Sequence, residues 1–475
     1  MSELKVPRGR DFSVQPAAGW DAVTVLTIGM VLTCAIPSYL SISALGQLGR
    51  PGVVWFLGAV LWWEWSQLQR PIPRVIWPQP ARRWLALFLG VVLVSYAVNN
   101  LAGLPADEAR TADSGVLKAL SWAGLFLIAH DGIVDRDRLL VLMRRVALIG
   151  TLMSALGLLQ FWTGQSFVSS LYLPGFAVGE GFDNIQDRSG FLRAAGTASH
   201  PLEYGVVLCM SLPLAITLAL SEEKGRNVLR WLSVGLIGCA SVLSVSRSAL
   251  IGTATALIIL MPGWSRSARR RALVIVAAGV LAVYFLVPGM VGTVRGMFAG
   301  IAGDSSTQSR TNGYDSAFEL ASRNLLVGRG LGTFLPSYRI LDNEYLLLLI
   351  ELGALGLILF AVLVASGIYC VIRTLRLSTD PLVRQLSFAL MASLTAGGVM
   401  FAFFDALSFP MAAAFMFLIL GMSGALWRIA RNESLQTTAS AYIPEAPVNR
   451  PEGRRRHASE RGIRVAGNPW RRHPN

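Results

Sequence analysis

Long apolar runs recur along almost the whole chain and restrict it to a membrane fold. A helix needs about 20 apolar residues to cross a bilayer. Twelve runs approach that length, at 20–40, 52–68, 84–101, 115–130, 146–163, 201–220, 231–246, 249–263, 272–288, 344–372, 385–404 and 406–427. Only 15% of the 475 residues are charged, against about 25% in soluble domains. The sequence therefore predicts an all-α polytopic membrane protein of about twelve transmembrane helices, with one transmembrane domain at 20–427.

The net charge is +14, but its distribution is more informative than its size. Basic residues concentrate in alternate connections and in the C-terminal segment, and the positive-inside rule then places both termini in the cytoplasm. This topology accounts for the cations, so nucleic-acid binding has no support. We expect a cytoplasmic N-terminus at 1–19, without a cleaved signal peptide, and a disordered basic cytoplasmic tail at 428–475, drawn to membrane lipid. Two outer loops, 164–200 and 289–343, are long enough to be functional.

Several common chemistries are missing from the sequence. None of the three lysines stands in a Gly-Lys-Ser/Thr sequence, so there is no P-loop for ATP. The glycine-rich segment 328–332 does not match a dinucleotide-binding motif. The four cysteines lie in apolar runs and indicate neither disulfides nor a metal site. No His/Cys/carboxylate cluster has metal-ligand spacing, so we expect no metal and no cofactor.

Arginines persist on the predicted outer side, where positive charge is disfavoured. Arg247 is the clearest case, because it separates two apolar spans with almost no loop between them. An arginine at such depth costs about 2.5 kcal/mol or more unless it has a partner or a water-filled cavity. One interpretation is a snorkelling or structurally paired arginine at a helix turn. The other, which we favour, is a functional site.

The first long outer loop ends in a segment that combines Arg193 with the sequence Ser-His-Pro-Leu-Glu. Pro201 suits the first turn of a helix, which would place His200 at the outer end of that helix and Glu203 one turn further in. Glu203 either caps the helix start together with Ser199 or His200 or takes part in catalysis. The residues leave both roles open.

The second long loop contains Arg310, a predicted short amphipathic helix at 312–323, the glycine-rich turn and Arg339. It ends in Asp342-Asn343-Glu344-Tyr345, where the next span begins. Asp342 or Asn343 could cap that span. Capping and catalysis are compatible, and both predictions are kept.

These motifs, in this order over about residues 190–360, resemble the O-antigen ligase and O-antigen polymerase family. The resemblance rests on Arg-x-x-Gly-Thr-x-x-His-Pro at 193–201, the Ser-Arg-Ser-Ala turn at 246–249, the Arg310 helix, Gly-x-Gly-x-Phe and Asn-x-Tyr-Leu. The flanking spans are similar only in hydropathy. Within the family, Asp342 resembles the residue of polymerase-type and exopolysaccharide members more than that of the lipid A-core ligases.

The resemblance implies a bundle of about twelve spans with a large outer loop, in the cytoplasmic (inner) membrane of a bacterium. It implies a metal-independent glycosyltransferase with an extracytoplasmic active site. The implied partners are a polyprenyl-diphosphate-linked oligosaccharide donor, a glycan acceptor and other polysaccharide-assembly proteins. Guanidinium groups suit a diphosphate leaving group. By this resemblance Arg247 and Arg310 bind diphosphate, Arg193 and Arg339 assist, and His200, Glu203, Asn343 and Tyr345 line the substrate site.

One position departs from the family pattern. Ligases of the family have a histidine immediately before the asparagine of the Asn-x-x-Leu motif, and this chain has Asp342 there. Asp342 is therefore the predicted general base.

Three functions are compared. A polymerase, or a ligase to a lipid or protein acceptor, is favoured over a lipid-linked glycan transporter or flippase. A transporter is expected to carry ionisable residues near the membrane midplane in both halves of the chain. The first five spans are nearly free of such residues, and Glu64 and Lys118 lie near span ends. A non-catalytic scaffold would not explain the outer arginines.

Overall fold

The computed structural model describes residues 21–69, 79–178, 187–188, 191–221, 227–289, 292–293, 295–296, 313–314 and 317–441. The chain divides into two compact units, Met1–Ser434 and Leu435–Asn475. Of the second unit, residues 435–441 are described, and they are helical. Arg310 lies outside the described residues.

The described residues are mostly helical, as predicted. The α-helices are α1 Ala22–Ala35, α2 Pro51–Leu68, α3 Pro80–Ala102, α4 Ala106–Gly132, α5 Arg136–Thr163, α6 Pro201–Ser221, α7 Asn227–Leu243, α8 Arg247–Leu260, α9 Arg266–Leu286, α10 Glu344–Glu351, α11 Gly353–Leu377, α12 Pro381–Met400 and α13 Pro410–Ala441. Short 3-10 helices lie at Ser43–Gly49, Met261–Gly263 and Ala406–Ser408. Residues 317–322 are also helical, inside the predicted amphipathic segment 312–323.

Seven of the described helices, α3, α4, α5, α6, α11, α12 and α13, are long and apolar enough to cross a membrane. Shorter apolar helices cover Ala22–Ala35, Val228–Leu243 and Arg247–Gly263. Each of the twelve predicted apolar runs falls on helix in the structure. The chain is thus a helical membrane protein, and the number of twelve spans stays a prediction.

Two small antiparallel sheets accompany the helices. Strand β1 (Leu40–Ile42) pairs with β2 (Phe176–Val178) in the register Leu40–Val178, and β3 (Asp187–Arg188) pairs with β4 (Phe191–Leu192). The first sheet joins the turn after α1 to the predicted outer loop 164–200, and the Tyr39 hydroxyl adds a hydrogen bond to the Val168 carbonyl at 2.6 Å. The sequence did not predict these strands.

The predicted span 344–372 is not one continuous helix. It breaks between α10 and α11, where Gly353 has a φ of +67°. The segment before the glycine-rich turn docks on this break, because Ala354 N–H donates to the Leu325 carbonyl at 2.8 Å and Leu355 N–H to the Leu326 carbonyl at 3.2 Å. A left-handed glycine is favourable at such a bend because it carries no Cβ.

The core of the first unit is built around α6 and α13. Within their apolar windows, 89% and 94% of residues are buried. Helix α6 packs on α5, α7, α8 and α12, while α2 packs on α4 and α11 on α3. Helix α3 presents large apolar side chains, such as Leu87 and Leu101, on its outside, as a lipid-facing helix does.

The predicted cytoplasmic ends of the helices are joined by ion pairs. Arg138 binds Asp21 at 2.8 Å, and Arg136 binds Asp380. Arg428 donates to the carbonyls of His130 and Ile133 at the end of α4. The Arg428 contacts occur where α13 continues past the predicted span end at 427, and residues 428–441 are helical, whereas the rest of the predicted tail lies outside the described residues.

Candidate active site

The start of α6 holds a completely buried carboxylate. Glu203 is 0% exposed. One carboxylate oxygen accepts from the Ser38 hydroxyl at 2.8 Å and from the backbone N–H and hydroxyl of Ser199 at 3.0 and 3.1 Å. The other accepts from the Met411 N–H at 2.9 Å. Glu203 therefore caps α6 through Ser199, as one of the two sequence interpretations had it, and also ties α6 to the turn after α1 and to the start of α13.

His200 precedes α6 and faces the start of α13. Its Nδ1 accepts a hydrogen bond from the Leu202 N–H at 3.1 Å, and its ring lies 6.0 Å from the ring of Phe409. Burial, together with the nearby Arg193 guanidinium, lowers the pKa of His200 to about 4. The imidazole is therefore neutral at physiological pH.

The turn between α1 and α2 brings a further cation to the same place. Arg50 precedes α2 and donates to the Ser408 carbonyl at 3.0 Å, and it lies close enough to Glu203 for electrostatic attraction. The β1–β2 pairing and the Ser38 N–H bond to the Thr197 carbonyl at 2.9 Å fix this turn. Arg50 was not among the predicted site residues, although it is a cation on the predicted outer side.

The start of α10 carries the residues that the sequence selected in the second loop. The Asn343 side chain caps the helix, accepting from the N–H groups of Tyr345 and Leu346 at 3.0 and 3.3 Å. The Tyr345 hydroxyl donates to the Gly398 carbonyl at 2.6 Å. Asp342 is partly exposed immediately before this cap. Asn343 and Tyr345 thus have structural contacts that position Asp342.

Glu344 locks the start of α10 onto the turn between α12 and α13. Its carboxylate, in a residue only 1% exposed, accepts from the Leu407 N–H at 2.8 Å. Its own N–H donates to the Phe401 carbonyl at 2.9 Å. This double contact fixes residues 342–344 beside Asp405, which lies between Phe401 and Leu407.

Asp405 is a further candidate site residue, which the sequence pattern did not predict. Burial, together with the nearby Asp342 carboxylate, raises its pKa to about 7, against the opposing effect of hydrogen bonds from its own backbone and from Ser408. The available signal was the one that identified Arg247: Asp405 is the single residue between the apolar runs 385–404 and 406–427.

The glycine-rich turn is structural. Gly328, Gly330 and Gly332 all have positive φ. A Cβ on Gly328 would lie 2.3 Å from the Glu351 carbonyl. Between the glycines, the Arg329 guanidinium binds both carboxylate oxygens of Glu108, at 2.8 and 2.9 Å. This arginine on the predicted outer side is therefore explained by an ion pair.

Arg247 begins α8 directly after a strained turn. Val245 has a φ of +49° and is fully buried, and it is the one described non-glycine residue with positive φ. A β-branched residue is unfavourable there, so the surrounding contacts must hold it. The Ser246 hydroxyl caps the helix at the Ala249 N–H, 3.4 Å away. A Cβ on Gly205 would lie 3.0 Å from Ala249 Cβ. The first turn of α8, which begins with Arg247, therefore packs beside the first turns of α6.

The structure thus brings most predicted site residues to one end of the helix bundle. Arg193, His200 and Glu203 lie at the start of α6, and Asp342, Asn343 and Tyr345 at the start of α10. Contacts through Met411 and Leu407 connect both helix starts to the beginning of α13 and the turn before it, and the Ser408 carbonyl in that turn accepts from Arg50. Arg339 precedes α10 by a few residues. Arg310 cannot be placed, since it lies outside the described residues.

These features define a class: a polytopic helical membrane protein with ionisable side chains buried together at one end of its bundle. Residues 232–361 match the family described as O-antigen ligase, which confirms the resemblance to O-antigen ligases and polymerases predicted from the sequence. The match includes Arg247, Arg310, Arg339, Asp342, Asn343 and Tyr345, but not Arg193, His200, Glu203 or Asp405. Comparison with curated proteins gives no match. The match and the apolar helices together indicate a membrane ligase or polymerase.

Proposed function

We propose that the protein is an integral membrane glycosyltransferase that takes a glycan from a polyprenyl diphosphate carrier and polymerises or ligates it. The reaction takes place at the outer face of the cytoplasmic membrane. Arg247 and Arg310 hold the diphosphate, Arg193 and Arg339 assist, and Asp342 accepts the proton of the acceptor hydroxyl.

The observation that carries this proposal is the convergence of separate chain segments on one end of an otherwise apolar bundle. The turn after α1 and the starts of α6, α10 and α13 meet there through buried hydrogen bonds of Glu203 and Glu344. Buried ionisable groups in a membrane domain are usually functional. The chain matches the O-antigen ligase family. A site of arginines and carboxylates suits a donor that carries phosphate and an acceptor that carries hydroxyls.

The proposed reaction is a single displacement. The acceptor oxygen bonds to the anomeric carbon of the donor sugar while the bond from that carbon to the diphosphate oxygen breaks. The diphosphate keeps the bonding electron pair, and the proton of the acceptor hydroxyl passes to Asp342. Arginines stabilise the charge that builds on the leaving group, and the Asp342 carboxylate serves as general base. The donor brings its own activation, so no ATP is required.

The test is glycosyl transfer by the purified full chain in lipid nanodiscs, with a synthetic polyprenyl-diphosphate-linked oligosaccharide as donor. We expect Arg247→Ala and Arg310→Ala to lower kcat/KM about 100-fold or more, with Arg247→Lys only partly active because lysine lacks the planar fork. Arg323→Ala is the matched control, because Arg323 is an exposed arginine that pairs with Glu319 at 3.5 Å. Normal turnover in both arginine variants would refute the assigned roles.

The same assay separates the alternatives. Longer glycan on the lipid carrier indicates a polymerase, and glycan on an added lipid or protein acceptor indicates a ligase. A transporter or flippase would move the donor across a sealed vesicle membrane and would make no new glycosidic bond. Turnover in nanodiscs, which hold no gradient, therefore supports only the enzyme.

A further inference from the structure

The hydrogen bond at Nδ1 determines which protons His200 can exchange. A neutral imidazole has one N–H donor and one acceptor nitrogen, and a contact at one nitrogen fixes the other. Because the Leu202 N–H donates to Nδ1 at 3.1 Å, Nδ1 is the acceptor and Nε2 carries the hydrogen. In this tautomer the Nε2–H group can donate a hydrogen bond, whereas the lone pair of Nδ1 already accepts one from the helix backbone.

The neighbours of His200 maintain this state. Arg193 contributes positive charge nearby, and both this charge and burial oppose protonation of the ring. The neighbouring carboxylate of Glu203 has both oxygens engaged by Ser38, Ser199 and Met411. Among the described residues no carboxylate hydrogen-bonds His200, so the group that usually orients a histidine base and stabilises its cation is missing. The Phe409 ring lies beside the imidazole, tilted by 51° with 6.0 Å between the ring centroids.

We infer that His200 is a fixed, neutral hydrogen-bond donor whose Nε2–H binds a phosphate oxygen of the donor's diphosphate beside Arg193, and that it is not the base of the reaction. This inference rests on the proposed function and deepens it. A neutral donor contributes to anion binding without adding charge to a site that already holds arginines. No proton is transferred by His200, so the acceptor's proton goes to a carboxylate.

Substitutions distinguish a donor from a base. His200→Gln keeps an N–H near the position of Nε2 but cannot act as a base, whereas His200→Phe keeps the ring against Phe409 and loses both nitrogens. We expect His200→Phe to lower kcat/KM for the lipid-linked donor about 100-fold, mainly through KM, and His200→Gln to recover most of that loss. Equal loss in both variants, expressed in kcat, would show that His200 exchanges a proton.

A second measurement does not depend on activity. The full chain with 15N-labelled histidine is examined by NMR, and the signal of His200 is assigned by its loss in His200→Gln. We expect a neutral ring with hydrogen on Nε2 down to about pH 5, and a shift of the Nε2 signal on addition of inorganic pyrophosphate. A ring that titrates near pH 6.5, or a signal that pyrophosphate leaves unchanged, would overturn the inference. If either overturning result is found while the wild-type protein still transfers glycan, the proposed function stands without this role for His200. If the wild-type protein transfers no glycan, the proposed function itself fails.

Discussion

The Arg329 guanidinium donates to both carboxylate oxygens of Glu108, at 2.8 and 2.9 Å, across 221 residues of sequence. Glu108 also accepts from the Tyr338 hydroxyl at 2.8 Å and is only 2% exposed. The pair joins the glycine-rich turn to the start of α4. An arginine on the predicted outer side can therefore be structural, and position in the topology alone does not separate it from a substrate-binding arginine such as Arg247.

Arg329→Ala should destabilise the protein rather than impair donor binding. Removing the arginine leaves the buried Glu108 carboxylate without its ion-pair partner, at a cost of about 3 kcal/mol. We expect a lower melting temperature in detergent and an unchanged donor KM for the protein that remains folded. Arg323→Ala provides the comparison, because exposed pairs contribute about 0–1 kcal/mol. A normal melting temperature together with a raised donor KM would instead place Arg329 in the substrate site.

Glu203→Gln tests whether the buried carboxylate of α6 is structural. Each carboxylate oxygen accepts from a backbone N–H, of Ser199 or Met411, and the amide nitrogen of glutamine cannot accept at either position. One N–H is left unsatisfied, which costs about 1–3 kcal/mol. We expect a reduced melting temperature and little change in kcat, with the exposed Glu319→Gln as control. Loss of turnover at unchanged thermal stability would show a catalytic role.

The sequence predicted local features of this fold well. Apolar runs located the helices, Pro201 marked the start of α6, and Asp342 or Asn343 was expected to cap α10, a role that Asn343 takes. Each of these signals resides within a few neighbouring residues. Hydropathy and helix capping depend only on residues that are neighbours in the sequence, so these features can be predicted without knowledge of tertiary contacts.

Contacts between distant segments could not be predicted in the same way. Glu203 bonds Ser38 and Met411, which are 165 and 208 residues away, and no local pattern encodes such partners. The sequence therefore left capping and catalysis equally open for Glu203. Asp405 was missed although it is the single residue between two predicted spans, because its importance comes from burial and from Asp342, which only the tertiary structure brings near.

Asp405→Asn should change how stability depends on pH. Burial raises the pKa of Asp405 to about 7, whereas an aspartate in the unfolded chain titrates near pH 3.9. Between about pH 4 and 7 the folded state holds a proton that the unfolded state has released, so rising pH lowers stability through this window. Asparagine cannot ionise. We expect the variant to melt at a higher temperature than wild type at pH 8 and at a similar temperature near pH 4.5.

The exposed Asp107→Asn serves as control for this titration, because the Asp107 side chain is 81% exposed at the start of α4. Its melting curve should follow that of wild type at every pH. Parallel pH curves for Asp405→Asn and wild type would contradict a raised pKa for Asp405.

Gly353→Ala should disturb the break between α10 and α11, and through it the geometry of the candidate site. A Cβ at this position would lie 2.4 Å from the carbonyl carbon and oxygen of Leu326, and the φ of +67° is unfavourable for alanine. Because the clash is with backbone, no rotamer change relieves it, and we expect a loss of about 2 kcal/mol or more. Gly90→Ala is the matched control, since Gly90 lies inside α3 with nothing within 4 Å of its Cβ position. That change should stabilise the helix by up to about 1 kcal/mol. Melting temperatures of the two variants in the same detergent make the comparison, and a neutral Gly353→Ala would mean that 344–372 forms one continuous helix after all.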